Sequence, residues 1–224
     1  MPLDIAIVAS GSGTNAQAIM DRIDEGALNA RIRLIVTNNP GAGVLERAAG
    51  AGLPASVLDH RCFESREAFD ASLAGIIARS GAEYVILAGF MRILGGAFLS
   101  SFPGRVLNIH PALLPSFPGT RGGPDALAYG VKITGCSVHF VEEKMDSGPL
   151  IIQAAVPLTA GDTLEELMPR IHAMEHRIYP QAIQWLAEAR IGVSGRSVRV
   201  APAPKKLAPA SSDWLVSPPL EQGF

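Results

Sequence analysis

The sequence predicts an α/β fold of the Rossmann-like three-layer kind. A mostly parallel sheet lies between helices, with an antiparallel extension in the second half. Three observations carry this. Short apolar runs alternate with helix-periodic segments through the first half of the chain. The runs read as buried strands, the pattern of a parallel sheet covered on both faces. In the second half two strand runs follow each other with only a short acidic loop between them.

Residues 5–9 form the first strand. Residues 15–25 follow with helical periodicity, Ala16, Ile19, Met20 and Ile23 on one side. Residues 31–37 are the second strand. Residues 44–51 are a helix stopped by Gly52 and Pro54, and residues 55–58 a short third strand. Ser65 caps a helix reaching about Arg79, with Phe69, Leu73, Ile76 and Ile77 as its apolar positions. Residues 84–87 and 106–109 are further buried strands, with a short helix near 97–101 between them. Residues 134–141 and 150–158 form the hairpin-like extension. Thr163 starts a long helix with Glu165 and Glu166 in its first turn. It runs toward Arg190, and Pro169 and Pro180 are expected to break or bend it. Residues 1–200 read as a single domain. Residues 201–224 are rich in Pro and read as a poorly ordered tail.

The 224 residues suffice for one large domain, and 48% hydrophobic against 18% charged residues allow a sizeable core in a soluble chain. A formal net charge of −2 gives no basic field for nucleic acid. Cys62 and Cys136 stand far apart, which argues against a disulfide framework and fits a reducing compartment. No basic segment precedes a long apolar one at the N-terminus, and no apolar run reaches the roughly 18–20 residues of a membrane span. The expectation is a cytoplasmic protein, as monomer or homodimer, binding small molecules rather than nucleic acid or membrane.

The chemistry concentrates in Val106-Leu107-Asn108-Ile109-His110-Pro111. Positions two apart on a strand share a face, so Asn108 and His110 point the same way into a proline-bounded loop. An Asn amide N–H can hold a developing oxyanion, and a His can carry a proton near neutral pH. Acyl-type transfer needs that pairing. Asn and His in loops also serve simply to satisfy backbone groups. Asp146 precedes a Ser-Gly-Pro turn after the strand holding Ser137 and His139. Beside His110 its carboxylate would orient the ring and stabilise the imidazolium.

Ser10-Gly11-Ser12-Gly13-Thr14-Asn15-Ala16 joins the first strand to the first helix and fits G-x-G-x-x-A. Glycines admit close approach, and the helix start offers free N–H groups to an anion. The dinucleotide reading wants an acidic residue ending the second strand, but that strand ends Thr37-Asn38-Asn39-Pro40. A mononucleotide or sugar phosphate held by Gly13, Thr14 and Asn15 fits better, at the carboxyl edge of the sheet near the strand-order switch. A plain tight turn with a helix cap is the bland alternative. His172-Ala173-Met174-Glu175-His176 matches the H-x-x-E-H zinc pattern, but a catalytic zinc needs a third ligand and only Glu188 and Glu221 remain downstream. No metal is expected, and Glu175 remains available to a site from this helix.

Together these segments resemble the folate-dependent formyltransferase family, in its phosphoribosylglycinamide (glycinamide ribonucleotide) branch, over residues 3–190. The carriers are the glycine loop, Ser65-Arg66, Ala88-Gly89-Phe90-Met91-Arg92-Ile93-Leu94, Leu107-Asn108-Ile109-His110-Pro111, Gly135-Cys136-Ser137-Val138-His139-Phe140, Met145-Asp146-Ser147-Gly148-Pro149 and Glu175-His176. The resemblance implies transfer of a formyl group from 10-formyltetrahydrofolate to the amine of glycinamide ribonucleotide, by direct attack through a tetrahedral intermediate, in purine synthesis. It implies Asn108, His110 and Asp146 as catalytic residues. It implies Gly13, Thr14, Asn15 and Glu175 for the ribonucleotide. For the folate it implies Arg66, Met91, Arg92, Ile93, Leu94, Asn108, Glu142 and Glu143. No metal and no covalent enzyme intermediate are implied.

Two departures stand out. Many relatives carry histidines after Pro118-Gly119, where this chain reads Thr120-Arg121-Gly122-Gly123-Pro124, whose glycines suggest mobility. Cys136 stands where Thr is commoner. Two rivals remain. A formyltetrahydrofolate hydrolase would use the same trio with water as acceptor, but usually carries an N-terminal regulatory domain, whereas this sequence starts at the first strand. A non-catalytic nucleotide-binding module would bind ligand and have no activity to lose in Asn108→Ala.

Overall fold

The structure, a computed structural model, describes residues 1–202, 206–209 and 215–224. The strands are β1 (Leu3–Ala9), β2 (Ala30–Thr37), β3 (Ala55–Val57), β4 (Tyr84–Leu87), β5 (Val106–His110), β6 (Ile133–Phe140), β7 (Leu150–Pro157), β8 (Ile191–Ser194), β9 (Ser197–Val200) and β10 (Leu215–Ser217). The helices are α1 (Thr14–Asp24), α2 (Val44–Gly50), α3 (Arg66–Ser80), α4 (Gly96–Ser101), α5 (Gly122–Tyr129) and α6 (Leu164–Ala187).

The main sheet runs β10-β7-β6-β5-β4-β1-β2-β3. Strands β3, β2, β1, β4 and β5 are parallel. Strands β6, β7 and β10 extend the sheet antiparallel. The expected three-layer α/β architecture is therefore present. Alternation along β1 shows how the layers form: Ile5 and Ile7 pack with Ile19 of α1 and Ile178 of α6, while Ala6 and Val8 pack with Leu73 of α3 and Phe98 of α4. The order reverses between β1 and β4, so the loops after these two strands flank a crevice at the carboxyl edge.

Several expectations need correction. Pro169 and Pro180 do not break α6, which runs unbroken from its Thr163–Glu166 capping box. Each proline forfeits one helical hydrogen bond, but the helix buries Leu167, Ile171, Met174, Ile178, Tyr179, Ile183 and Trp185, whose burial is worth more. Gly122 and Gly123 are not loop residues. They are buried in the first turn of α5, and a Cβ on Gly122 would lie 3.0 Å from His110 Nε2. The 201–224 segment, where described, is docked rather than loose. Leu215–Ser217 pairs with β7, and Leu220, Glu221 and Phe224 are buried. Glu221 Oε1 accepts from Trp185 Nε1 at 3.0 Å and Arg190 Nη2 at 2.7 Å, while its N–H donates to Gln181 at 2.6 Å. Apolar anchors and a paired carboxylate hold a segment whose proline content alone suggested disorder. The part of that expectation falling on 203–205 and 210–214 lies outside the described residues. No helix among the described residues is long and apolar enough to cross a membrane.

Candidate active site

Asn108 and His110 end β5 on the same face as Val106. Asp146 arrives from the β6–β7 connection, with a left-handed φ of 51°. The turn that carries it needs Gly148, because a Cβ there would overlap Phe140 O. Asp146 Oδ2 accepts from Gly119 N–H at 2.7 Å and lies 3.5 Å from His110 Nδ1. His110 Nε2 lies 2.8 Å from Phe117 O. A carbonyl oxygen only accepts, so Nε2 carries a proton. The ring is thus held between the Phe117 carbonyl on one side and the Asp146 carboxylate on the other.

His139 is the residue that the sequence reading left out of the site. Antiparallel register sets it opposite Asn108. Its Nδ1 lies 2.8 Å from Phe140 O, so Nδ1 holds the proton and Nε2 accepts from Asn108 Nδ2 at 3.2 Å. Burial pushes its pKa below the usual histidine range and keeps it neutral. It thereby fixes the Asn108 amide with nitrogen toward His139, leaving the second N–H available to an oxygen in the cleft. Asp146 Oδ1 lies 3.6 Å from His139 Nε2, but that nitrogen carries no proton for it, so the carboxylate pairs with His110 and only neighbours His139.

These groups open on a cleft with about 850 Å³ of open space. Met91, Arg92, Ile93 and Leu94 form one wall, and Val141, Glu142, Glu143 and Met145 another. The exposed Met91, Ile93 and Met145 give it apolar surface unusual for side chains facing solvent. Arg92 stacks over Phe69 at 5.1 Å. Arg66 does not line the cleft. It sits beside Gly95, with Nη2 3.5 Å from Glu67 Oε1.

Gly13 caps α1 in a left-handed conformation at φ 73°, and a Cβ there would fall 2.7 Å from Val44 Cβ and 2.9 Å from Val44 Cα. The turn so formed starts α1 at Thr14 and aims Asn15 inward. Asn15 Nδ2 donates to Glu175 Oε2 at 2.8 Å across the α1–α6 junction. Burial pushes the Glu175 carboxyl up to about 7, and the Asn15 bond opposes this only in part. Asn15 Oδ1 is buried without a partner, so the pair retains an open hydrogen-bonding position. Thr14 faces a separate hollow with Gln17, Asp21, Arg47 and His176. His172 and His176 are half-buried, their rings stacked 6.4 Å apart, and Glu175 turns to Asn15 instead of joining them. Among the described residues no three His, Cys, Asp or Glu side chains cluster as metal ligands.

Residues 3–183 match the family described as formyl transferase. Phosphoribosylglycinamide formyltransferase of Escherichia coli (strain K12) is 43% identical over 189 residues, covering 84% of this chain and 89% of that protein. The trifunctional purine biosynthetic protein adenosine-3 of Bos taurus is 42% identical over 194 residues. That match takes in 86% of this chain, which spans only 19% of the bovine protein. A crystal structure of glycinamide ribonucleotide transformylase 1 from Symbiobacterium toebii superposes with a TM-score of 0.87 at 49% identity, covering 89% of this chain and 94% of that one. With a fold and a sequence match that agree over most of its length, this chain belongs to the formyl transferase family.

Proposed function

We propose that this chain transfers the formyl group of 10-formyltetrahydrofolate to the amine of glycinamide ribonucleotide, a step of purine synthesis. The single observation that carries this reading is the Asn108–His139–Asp146–His110 cluster at the head of an apolar-walled cleft. The amine attacks the formyl carbon and gives a tetrahedral intermediate. Asn108 donates its second amide N–H to the oxyanion, and His139 keeps that amide aimed. His110, held beside Asp146, assists charge and proton movement at the same centre. The C–N10 bond then breaks. The amine nitrogen loses a proton and N10 of the folate gains one, leaving tetrahydrofolate and the formylated amide.

In this reading the folate ring system lies along Met91–Leu94 and the Glu142–Glu143 loop. Arg66, outside the cleft lining, meets only the carboxylate tail, together with Arg92. Gly13, Thr14 and Asn15 hold the ribose phosphate at the start of α1. Glu175, whose carboxyl burial pushes up to about 7, takes the amine end. This chemistry belongs to a cytoplasmic enzyme. The test is a turnover assay with both substrates. The expected result is formyl transfer that depends on the ribonucleotide amine. Deformylation at the same rate without the ribonucleotide would identify a hydrolase and overturn the proposal.

A further inference from the structure

The loops after β1, β2 and β4 meet at the switch point, and Ser10 ties all three together. Its N–H donates to Gly89 O at 3.1 Å. Its Oγ–H donates to Asn38 Oδ1 at 2.6 Å. The same Oγ accepts from Met91 N–H at 2.9 Å. Its carbonyl oxygen accepts from Asn39 Nδ2 at 3.4 Å. Every polar atom of Ser10 is therefore engaged, each by a neighbouring loop. On one side Ser10 leads directly into Gly11-Ser12-Gly13. On the other it holds Met91, the first residue of the cleft wall.

We propose that Ser10 is a positioning residue that couples the two halves of the site. A ligand that orders the glycine loop also orders the Met91 wall. The proposal rests on the functional reading above. Its physical basis is ordering entropy. Once the glycine loop is fixed, the Ser10 hydroxyl is fixed, and less of the wall remains to be ordered when the second ligand arrives. Linkage makes the effect reciprocal. Asp70 offers a contrast. Its Oδ2 accepts from Gly95 N–H at 2.7 Å and steadies the far end of the same wall, with no bond to the glycine loop. Asp70 supports the wall and Ser10 connects it.

Calorimetric titration measures the coupling without turnover. Tetrahydrofolate is titrated with and without glycinamide ribonucleotide, and the ribonucleotide with and without tetrahydrofolate. In the unaltered protein each ligand should tighten the other by about fivefold, the scale of one hydrogen bond. In Ser10→Ala both ligands should bind with that factor reduced to about one, and Ser10→Thr should restore it by keeping the hydroxyl. Asp70→Asn should weaken tetrahydrofolate while leaving the factor in place, as any purely structural loss would. A factor of one in the unaltered protein, or an undiminished factor in Ser10→Ala, overturns the coupling alone. Failure of the ribonucleotide to bind the unaltered protein overturns the functional reading and the coupling with it.

Discussion

Replacing Glu175 by Gln should change the way stability depends on pH. The carboxyl is 3% exposed on α6 and burial pushes it up to about 7, against 4.5 for the same group in water. Between those values the native state keeps a proton that the unfolded chain has released. Stability therefore falls as the pH rises through that window and levels off above it. The gap, at about 1.4 kcal/mol per pH unit, amounts to about 3 kcal/mol. Glu175→Gln keeps the shape and the hydrogen-bonding reach to Asn15 but cannot ionise. Any fixed cost of the new amide is the same at every pH, so the informative quantity is the change in the difference between the two proteins. Urea unfolding of both at about pH 4.5, 6 and 8 gives it. The variant should gain little at the lowest pH and about 3 kcal/mol more at the highest. A difference that stays constant across the three would refute the burial argument, as would one that moves the other way.

Two further outcomes follow from the site and its supports. Asn108→Ala removes the proposed oxyanion donor and should lower kcat by about 10²–10³, with the affinity for both ligands within about threefold by calorimetry. Gly13→Ala forces a left-handed residue against the Val44 backbone and should cost about 3 kcal/mol in thermal or urea unfolding, whereas Gly11→Ala, with nothing within 4 Å, should cost far less.

The parallel half of the fold was legible because its strands are uninterrupted apolar runs and its helices are bounded by Ser, Gly and Pro. Observed ends differ by one or two residues from those read, as for residues 31–37 against Ala30–Thr37. α5 escaped notice because it opens Gly122-Gly123-Pro124, a loop signature by composition. Yet Pro124 stands in the first turn, where an N–H has no helical partner to lose. The docking of residues 215–224 escaped notice for a different reason. It depends on Trp185, Arg190 and Gln181 meeting Glu221, contacts that tertiary structure alone creates. Within the site, Asn108 and His110 were readable from strand alternation. The approach of Asp146 required the family resemblance. His139 required the β5–β6 register, which sets it opposite Asn108 and which no local pattern encodes.

The central claim is that His110 and Asp146, 3.5 Å apart, act as one unit on the formyl group. A double-mutant cycle on kcat/KM for formyl transfer tests it most directly, with His110→Ala, Asp146→Asn and the pair together. The account predicts that the double variant loses little more than the worse single variant. Losses that simply multiply would contradict it.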